Sequence, residues 1–185
     1  MGRPSGLERN VIAMTFFDPR AQVAPDPEAA GAAASNRIRM RSYAYRIEEG
    51  HGLRHNPLKA IVAPRPIGWI STLSADGIAN LAPYSFFNLV NDTPPMLMFS
   101  STGHKDSVRN SEATGEFVFN LATRSLAEQV NATSAAFPSG VDEFEAAGLE
   151  KASGLVVACP RVAASPAALE CRTVEVRRLR VNRGN

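Results

Sequence analysis

Three short stretches concentrate the residues able to do chemistry. The first is Ala63-Pro64-Arg65-Pro66-Ile67-Gly68-Trp69-Ile70-Ser71-Thr72, the second Asn80-Leu81-Ala82-Pro83-Tyr84-Ser85-Phe86-Phe87-Asn88, and the third Ser100-Ser101-Thr102-Gly103-His104-Lys105-Asp106-Ser107. Each mixes hydroxyls, amides and a few cations with glycine or proline turns. None matches a dinucleotide-binding G-x-G-x-x-G, a phosphate-cradling G-x-x-x-x-G-K or a G-x-S-x-G nucleophile elbow. What would suit them is a flat ring with a polar edge and a phosphate tail, which needs apolar faces and rim hydrogen bonds. Trp69, Phe86 and Phe87 offer faces, although Trp69 serves equally as core. Ser85, Asn88 and backbone amides offer rim contacts. Ser71, Thr72 and Ser85 also read as ordinary strand or turn hydroxyls. Phe86 and Phe87 cannot face the same way on a strand, so one is expected in the core and the other toward a ligand.

A phosphate needs cations and N–H donors. Arg65, fixed between two prolines, can bind one as a bidentate fork. Lys105 and Ser107 stand where a helix is expected to begin, and helix N-termini hold anions. Asp106 is in tension with that role. It is tolerable only if it points away and caps the helix, or pairs with Lys105. No side chain stands out as a catalytic acid or base.

Other polar residues point to less. His51 and His55 are four apart, but Gly50, Gly52 and Pro57 disfavour a helix there and no third metal ligand is evident, so no metal site is expected. His104 precedes the expected helix and reads equally as a ligand contact and as a surface residue. Cys159 and Cys171 form no CxxC and read as reduced thiols in the interior. Arg172, Arg177, Arg178, Arg180 and Arg183 read as a solvated strand face. Asn91-Asp92-Thr93 and Asn131-Ala132-Thr133 match a glycosylation pattern that carries little weight without a signal peptide.

The elements that must position these residues follow from the punctuation. Asn56-Pro57 opens a short helix through Ala63, which Pro64 and Pro66 end. Ile67–Ser74 and Ile78–Tyr84 read as strands joined by the hairpin signal Asp76-Gly77. Met96–Ser100 and Glu116–Ala122 are further strands. A helix capped by Asp106 or Ser107 runs to Thr114 and stops at Gly115. Ser125–Ala135 and Val141–Ala147 read as helices around the loop Pro138-Ser139-Gly140. Leu155–Ala158, Arg161–Ala163 and Ala168–Val181 read as strands, the last with a bulge at Arg177-Arg178 where its alternation changes phase. Short strands with inserted helices make a mainly β protein, a closed or partly closed small barrel.

The chain has 185 residues, 44% hydrophobic and 21% charged, with 20 Lys plus Arg against 18 Asp plus Glu. The net charge of +2 is too balanced to suggest nucleic acid as a partner. No apolar run reaches the roughly 18 residues of a membrane span. Residues 3–17 lack a clean signal-peptide core, so a cytoplasmic protein with no membrane partner is expected. Residues 1–39 include AQVAPDPEAAGAAAS and are expected to be a poorly ordered extension, with the folded domain over 40–185.

The stretch GLRHNPLKAIVAPRPIGWISTLSADGIANLAPYSFFNLVNDTPPMLMFSS, then KDSVRN, TGEFVFNL and ALECRTVEVRRL, resembles the flavin reductase-like FMN-binding proteins across roughly residues 52–181. The resemblance implies a split β-barrel holding FMN non-covalently, usually as a homodimer with the flavin near the subunit interface. It implies that NADH or NADPH reduces the flavin, which then serves a partner oxygenase or another acceptor. Matching positions make Arg65, Ser71 and Thr72 flavin contacts, let Ser85, Phe86, Phe87 and Asn88 line the ring, and place Lys105, Asp106 and Ser107 near the phosphate. Members commonly continue past ECRxxEV into more barrel strands, whereas this chain ends at Asn185, so a barrel incomplete at its C-terminus with an open edge is expected. An FMN-binding carrier or sensor without nicotinamide turnover, and an inactive truncated barrel, are the alternative readings.

Overall fold

The computed structural model describes residues 50–179. Two units part between Ile61 and Val62. The expected boundary after residue 39 and the arginines at 180 and 183 lie outside the described residues. In the first unit a single turn of helix, α1 (Pro57–Ile61), opens as expected, with the Leu58 N–H donating to Asn56 Oδ1 at 2.9 Å. His51 Nδ1 accepts from the Leu53 N–H at 3.0 Å, and both histidines precede the helix. Among the described residues no group of acidic, His and Cys side chains could hold a metal, and no helix is long and apolar enough to cross a membrane.

The second unit is built on β1 (Gly68–Leu73), which β2 and β5 flank edge to edge and which is buried on both faces because a core packs against each. β2 (Ala79–Tyr84) returns antiparallel from a turn in which Gly77 takes φ +82, the left-handed region that Asp-Gly turns favour. β5 (Glu116–Leu121) pairs with the other edge of β1, and β8 (Ala168–Arg172) pairs with β5. Between them, β3 (Phe87–Asp92) and β4 (Pro95–Phe99) form a separate two-stranded ribbon, and β6 (Lys151–Ala152) pairs with β7 (Arg161–Val162). The sheets stay open, and no strand closes β2 onto β8 among the described residues.

Alternation along β1 feeds two cores. Trp69 packs with Leu81, Leu126, Phe144 and Val162, while Ile70 packs with Tyr84 and Phe117. The helices α2 (Asp106–Thr114), α3 (Ala127–Ala132, entered by a 3-10 turn at Arg124–Leu126) and α4 (Glu143–Ala146) appear where the punctuation predicts, the last two shorter. Gly115 ends α2 at φ +72 and its N–H donates to Ser111 O.

The strand expectations fail at three places. Leu155–Ala158 is no strand, because the N–H groups of Leu155, Val156 and Val157 all turn onto the Glu170 carboxylate at 2.8, 2.7 and 3.0 Å. The last strand stops at Arg172 rather than Val181, because its partner runs out. Glu116 pairs with Arg172, and just beyond it the Thr173 N–H donates to Gly115 O at 2.8 Å. With no strand over 173–179, no bulge forms at Arg177-Arg178, and a register shift falls instead between Leu89 and Asn91. β3 was not foreseen, since Asn88, Asn91 and Asp92 blur its alternation. The described C-terminal arginines are solvated as expected, Arg172 pairing with Glu116 and Arg178 with Glu112, but from irregular backbone beyond Arg172.

Candidate flavin site

The corner between β2 and β3 positions most of the foreseen residues. Pro64 and Pro66 bracket Arg65 just before β1, and Ser85-Phe86 turns the chain from β2 into β3. Arg65, Ser85, Phe86, Phe87 and Asn88 line one cavity of about 240 Å³, with Ser100 and Met98 across from them. The Ser100 N–H donates to Phe86 O at 2.8 Å, which ties the two walls. The two phenylalanines diverge as alternation demands. Phe86 is exposed, with the Arg65 guanidinium 5.9 Å from its ring centre. Phe87 turns into the core and stacks on Phe119 at 4.9 Å. Gly68 makes that possible, because a Cβ there would lie 2.4 Å from the Phe87 ring.

Four other foreseen residues are interior and line no part of this cavity. Trp69 is fully buried and its indole N–H donates to Thr133 Oγ1 at 2.9 Å. Ser71 is fully buried and donates to Pro160 O at 2.6 Å. Thr72 and Ser107 are buried and both donate to Asn80 Oδ1, at 3.3 and 2.7 Å. Trp69 therefore stands in the core rather than offering a face to a ring, and these three hydroxyl protons are committed to protein oxygens.

The start of α2 differs from expectation too. Lys105 occupies the cap position, is exposed, and no side chain caps the helix. Asp106 neither caps it nor pairs with Lys105. Its carboxylate accepts from Arg109 Nη2 at 2.5 Å and from the Gly140 N–H at 3.4 Å. Asp106 and Arg109 border a second cavity, of about 220 Å³, that shares no lining residue with the first. His104 joins Glu112 at 2.8 Å on the surface.

Asn80 and Glu143 also belong to the interior around the site, although no local sequence signal marks either one. Glu143 is buried and accepts from Asn80 Nδ2 at 2.8 Å and from the Leu81 N–H at 3.0 Å. Burial raises its carboxyl above the usual range despite those two donors, and the nearby Asp106 charge pushes the same way. Burial also pushes the Cys159 and Cys171 thiols up to about 11 each, so neither supplies a thiolate near neutral pH. Both cysteines are free, Cys159 buried as expected and Cys171 partly so.

Residues 62–183 match the family model described as a flavin reductase like domain. The chain belongs to that family. An uncharacterized protein of Aquifex aeolicus is 45% identical over 117 residues, 60% of this chain and 60% of that one. Pseudomonas fluorescens 2-nitrobenzoate 2-nitroreductase NbaA is 31% identical with a TM-score of 0.59, covering 63% of this chain and 57% of that structure. Nitrilotriacetate monooxygenase component B from Bacillus cereus is 27% identical with a TM-score of 0.64, covering 72% and 68%. The chain spans about three fifths of the length of the curated relatives it matches. The open sheets are those of a flavin reductase-like split barrel, and the cavity at the β2–β3 corner lies wholly within the matched residues.

Proposed function

We propose that this flavin reductase-like domain binds FMN and takes part in its reduction by NADH or NADPH, electrons passing on to an oxygenase or another acceptor. One observation carries the reading: Arg65, Ser85, Phe86, Phe87 and Asn88, foreseen as flavin contacts, meet in a single cavity within the family's span. Its donor set fits the cofactor. It holds a cation, an exposed aromatic ring, two serine hydroxyls and an amide, the mixture a flat ring with a polar rim requires.

When bound, FMN supplies the redox chemistry, accepting a hydride from nicotinamide. The protein's own part is to bind and orient. Phe86 packs apolar surface, and Ser85, Ser100 and Asn88 satisfy rim atoms. Arg65 offers a fixed positive charge that favours a more anionic ligand. Lys105, with the uncapped start of α2, is the proposed cation near the phosphate. Ser71, Thr72, Trp69 and Ser107 act from the interior, holding β1 and α2 in place. A second copy of the chain at the exposed ribbon of β3 and β4 is the proposed dimer partner, where Leu89, Val90, Met96 and Met98 are 52, 52, 39 and 45% exposed.

The test is the visible spectrum of purified protein after loading with FMN and dialysis, followed by NADH and NADPH oxidation. A retained flavin band and flavin-dependent nucleotide oxidation are expected. A retained band with no turnover on either nucleotide leaves a flavin carrier, and no band at all overturns the reading.

A further inference from the structure

We propose that Asn80, oriented by the Glu143 carboxylate, is a positioning residue that sets the first turn of α2 and thereby the phosphate end of the flavin site. This rests on the FMN reading above. The carboxylate fixes the polarity of a chain of hydrogen bonds. Glu143 only accepts when ionised, so the Asn80 amide must turn its NH2 toward it, as the 2.8 Å contact from Nδ2 to Oε1 shows. The Asn80 carbonyl oxygen then faces away, toward β1 and α2. There it collects the hydroxyl protons of Ser107 at 2.7 Å and Thr72 at 3.3 Å. Thr72 Oγ1 in turn accepts from Asn110 Nδ2 at 3.1 Å, and Ser107 O accepts from Ser111 Oγ at 2.7 Å. One amide on β2 thus grips α2 through its first turn and, by way of Thr72, one turn further on.

Every member of the chain is buried, with Asn80 5%, Ser107 1%, Asn110 4% and Glu143 7% exposed, so none needs to touch a ligand to act. Buried polar groups of this kind are costly to leave unpaired, which gives the arrangement its directionality. Ser107, foreseen beside the phosphate, has its proton committed to Asn80. It anchors the helix, and the exposed Lys105 and the Asp106 and Ser107 N–H groups are left to meet an anion. The Val108 and Arg109 N–H groups both close that turn on Lys105 O, at 3.1 and 3.0 Å, so their amides report its integrity.

The test compares Asn80→Ala, Ser107→Ala and Glu143→Gln with the unaltered chain by two measurements. The first is amide hydrogen exchange. The second is affinity for FMN and for riboflavin, which lacks the phosphate, by flavin fluorescence. Positioning requires faster exchange at Val108 and Arg109, with the β1–β5 amides unchanged. It also requires a loss of FMN affinity of about tenfold or more, the range for one charged hydrogen bond, with riboflavin affinity preserved. Exchange that is unchanged, or raised evenly over the sheet, overturns the proposal, and Ser107→Ala keeps it open to refutation should Asn80→Ala fail to fold. A local rise with an unchanged FMN-to-riboflavin ratio overturns its link to the phosphate. If the unaltered chain binds neither flavin, the FMN reading has failed and the link to the phosphate falls with it, while exchange alone still decides whether Asn80 sets the turn.

Discussion

The guanidinium of Arg65 stands 5.9 Å from the centre of the Phe86 ring, at the wall of the cavity where β2 passes into β3. A cation–π contact of this length at a part-exposed site contributes on the order of 0.5–1 kcal/mol, too little to dominate folding. On the proposed function its weight falls on binding. Arg65→Ala is expected to weaken FMN binding by about tenfold or more, the scale of a lost charged hydrogen bond, with Tm nearly unchanged. Arg65→Lys restores the charge but not the planar fork, so it should recover only part of the affinity. Flavin fluorescence titration beside thermal melts checks both, and a large fall in Tm would assign Arg65 to folding instead.

Thr133→Val tests the interior role of Trp69. The variant keeps the shape of the side chain but leaves the buried indole N–H without its 2.9 Å acceptor. An unpaired buried donor costs about 1–3 kcal/mol, which denaturant unfolding should read directly. FMN affinity is expected to hold. A drop in affinity at unchanged stability would return Trp69 to the ligand.

The loop at Leu155-Val156-Val157 should respond to acid. The backbone N–H groups of Leu155 and Val156, then that of Val157, hold the Glu170 carboxyl below the usual carboxylate range. A depressed acid adds stability that is fully present above its unfolded value and is lost as pH falls through the folded one. The loop amides should therefore stay protected from exchange near neutral pH and lose protection below roughly pH 4.5, the ordinary glutamate range. Glu170→Gln should show weakened protection at neutral pH already. Identical exchange profiles in the two proteins would show that the carboxylate does not hold the loop.

Gly68→Ala should overpack the second core. The new methyl meets the Phe87 ring at 2.4 Å, and forcing extra carbon into such a site costs about 1–3 kcal/mol. Chemical denaturation measures the loss, and the double variant Gly68→Ala with Phe87→Leu should recover part of it. No recovery would place the strain elsewhere.

Legibility in the sequence followed how local each signal was. The β1–β2 hairpin, the stop of α2 at Gly115 and the opposed directions of Phe86 and Phe87 depend on neighbours in the chain, and each was readable from turn residues or alternation. β8 was readable at its start but not at its end, because Arg172 is its last paired residue only where β5 gives way to Gly115. Leu155–Ala158 has the composition of a strand, yet a glutamate fifteen residues from Leu155 takes its first amide. Of the foreseen site residues, those at the β2–β3 corner came together because one turn carries them. Ser71, Thr72 and Ser107 went inward because their partners, Pro160 and Asn80, lie on other elements. Glu143 carried no signal at all, since a glutamate in a short acidic helix that also holds Glu145 reads as surface until β2 is packed against it.

The absent side chain at Gly68 has a wider consequence. Volume withheld at one backbone position is what Phe87 occupies, and the same residue forms part of the wall of the cavity beside Phe86. The interior and the cavity therefore share one side chain at this corner. If the cavity holds flavin as proposed, a change that enlarges the packed interior here is expected to shrink the room for it, which would couple stability and affinity through Phe87.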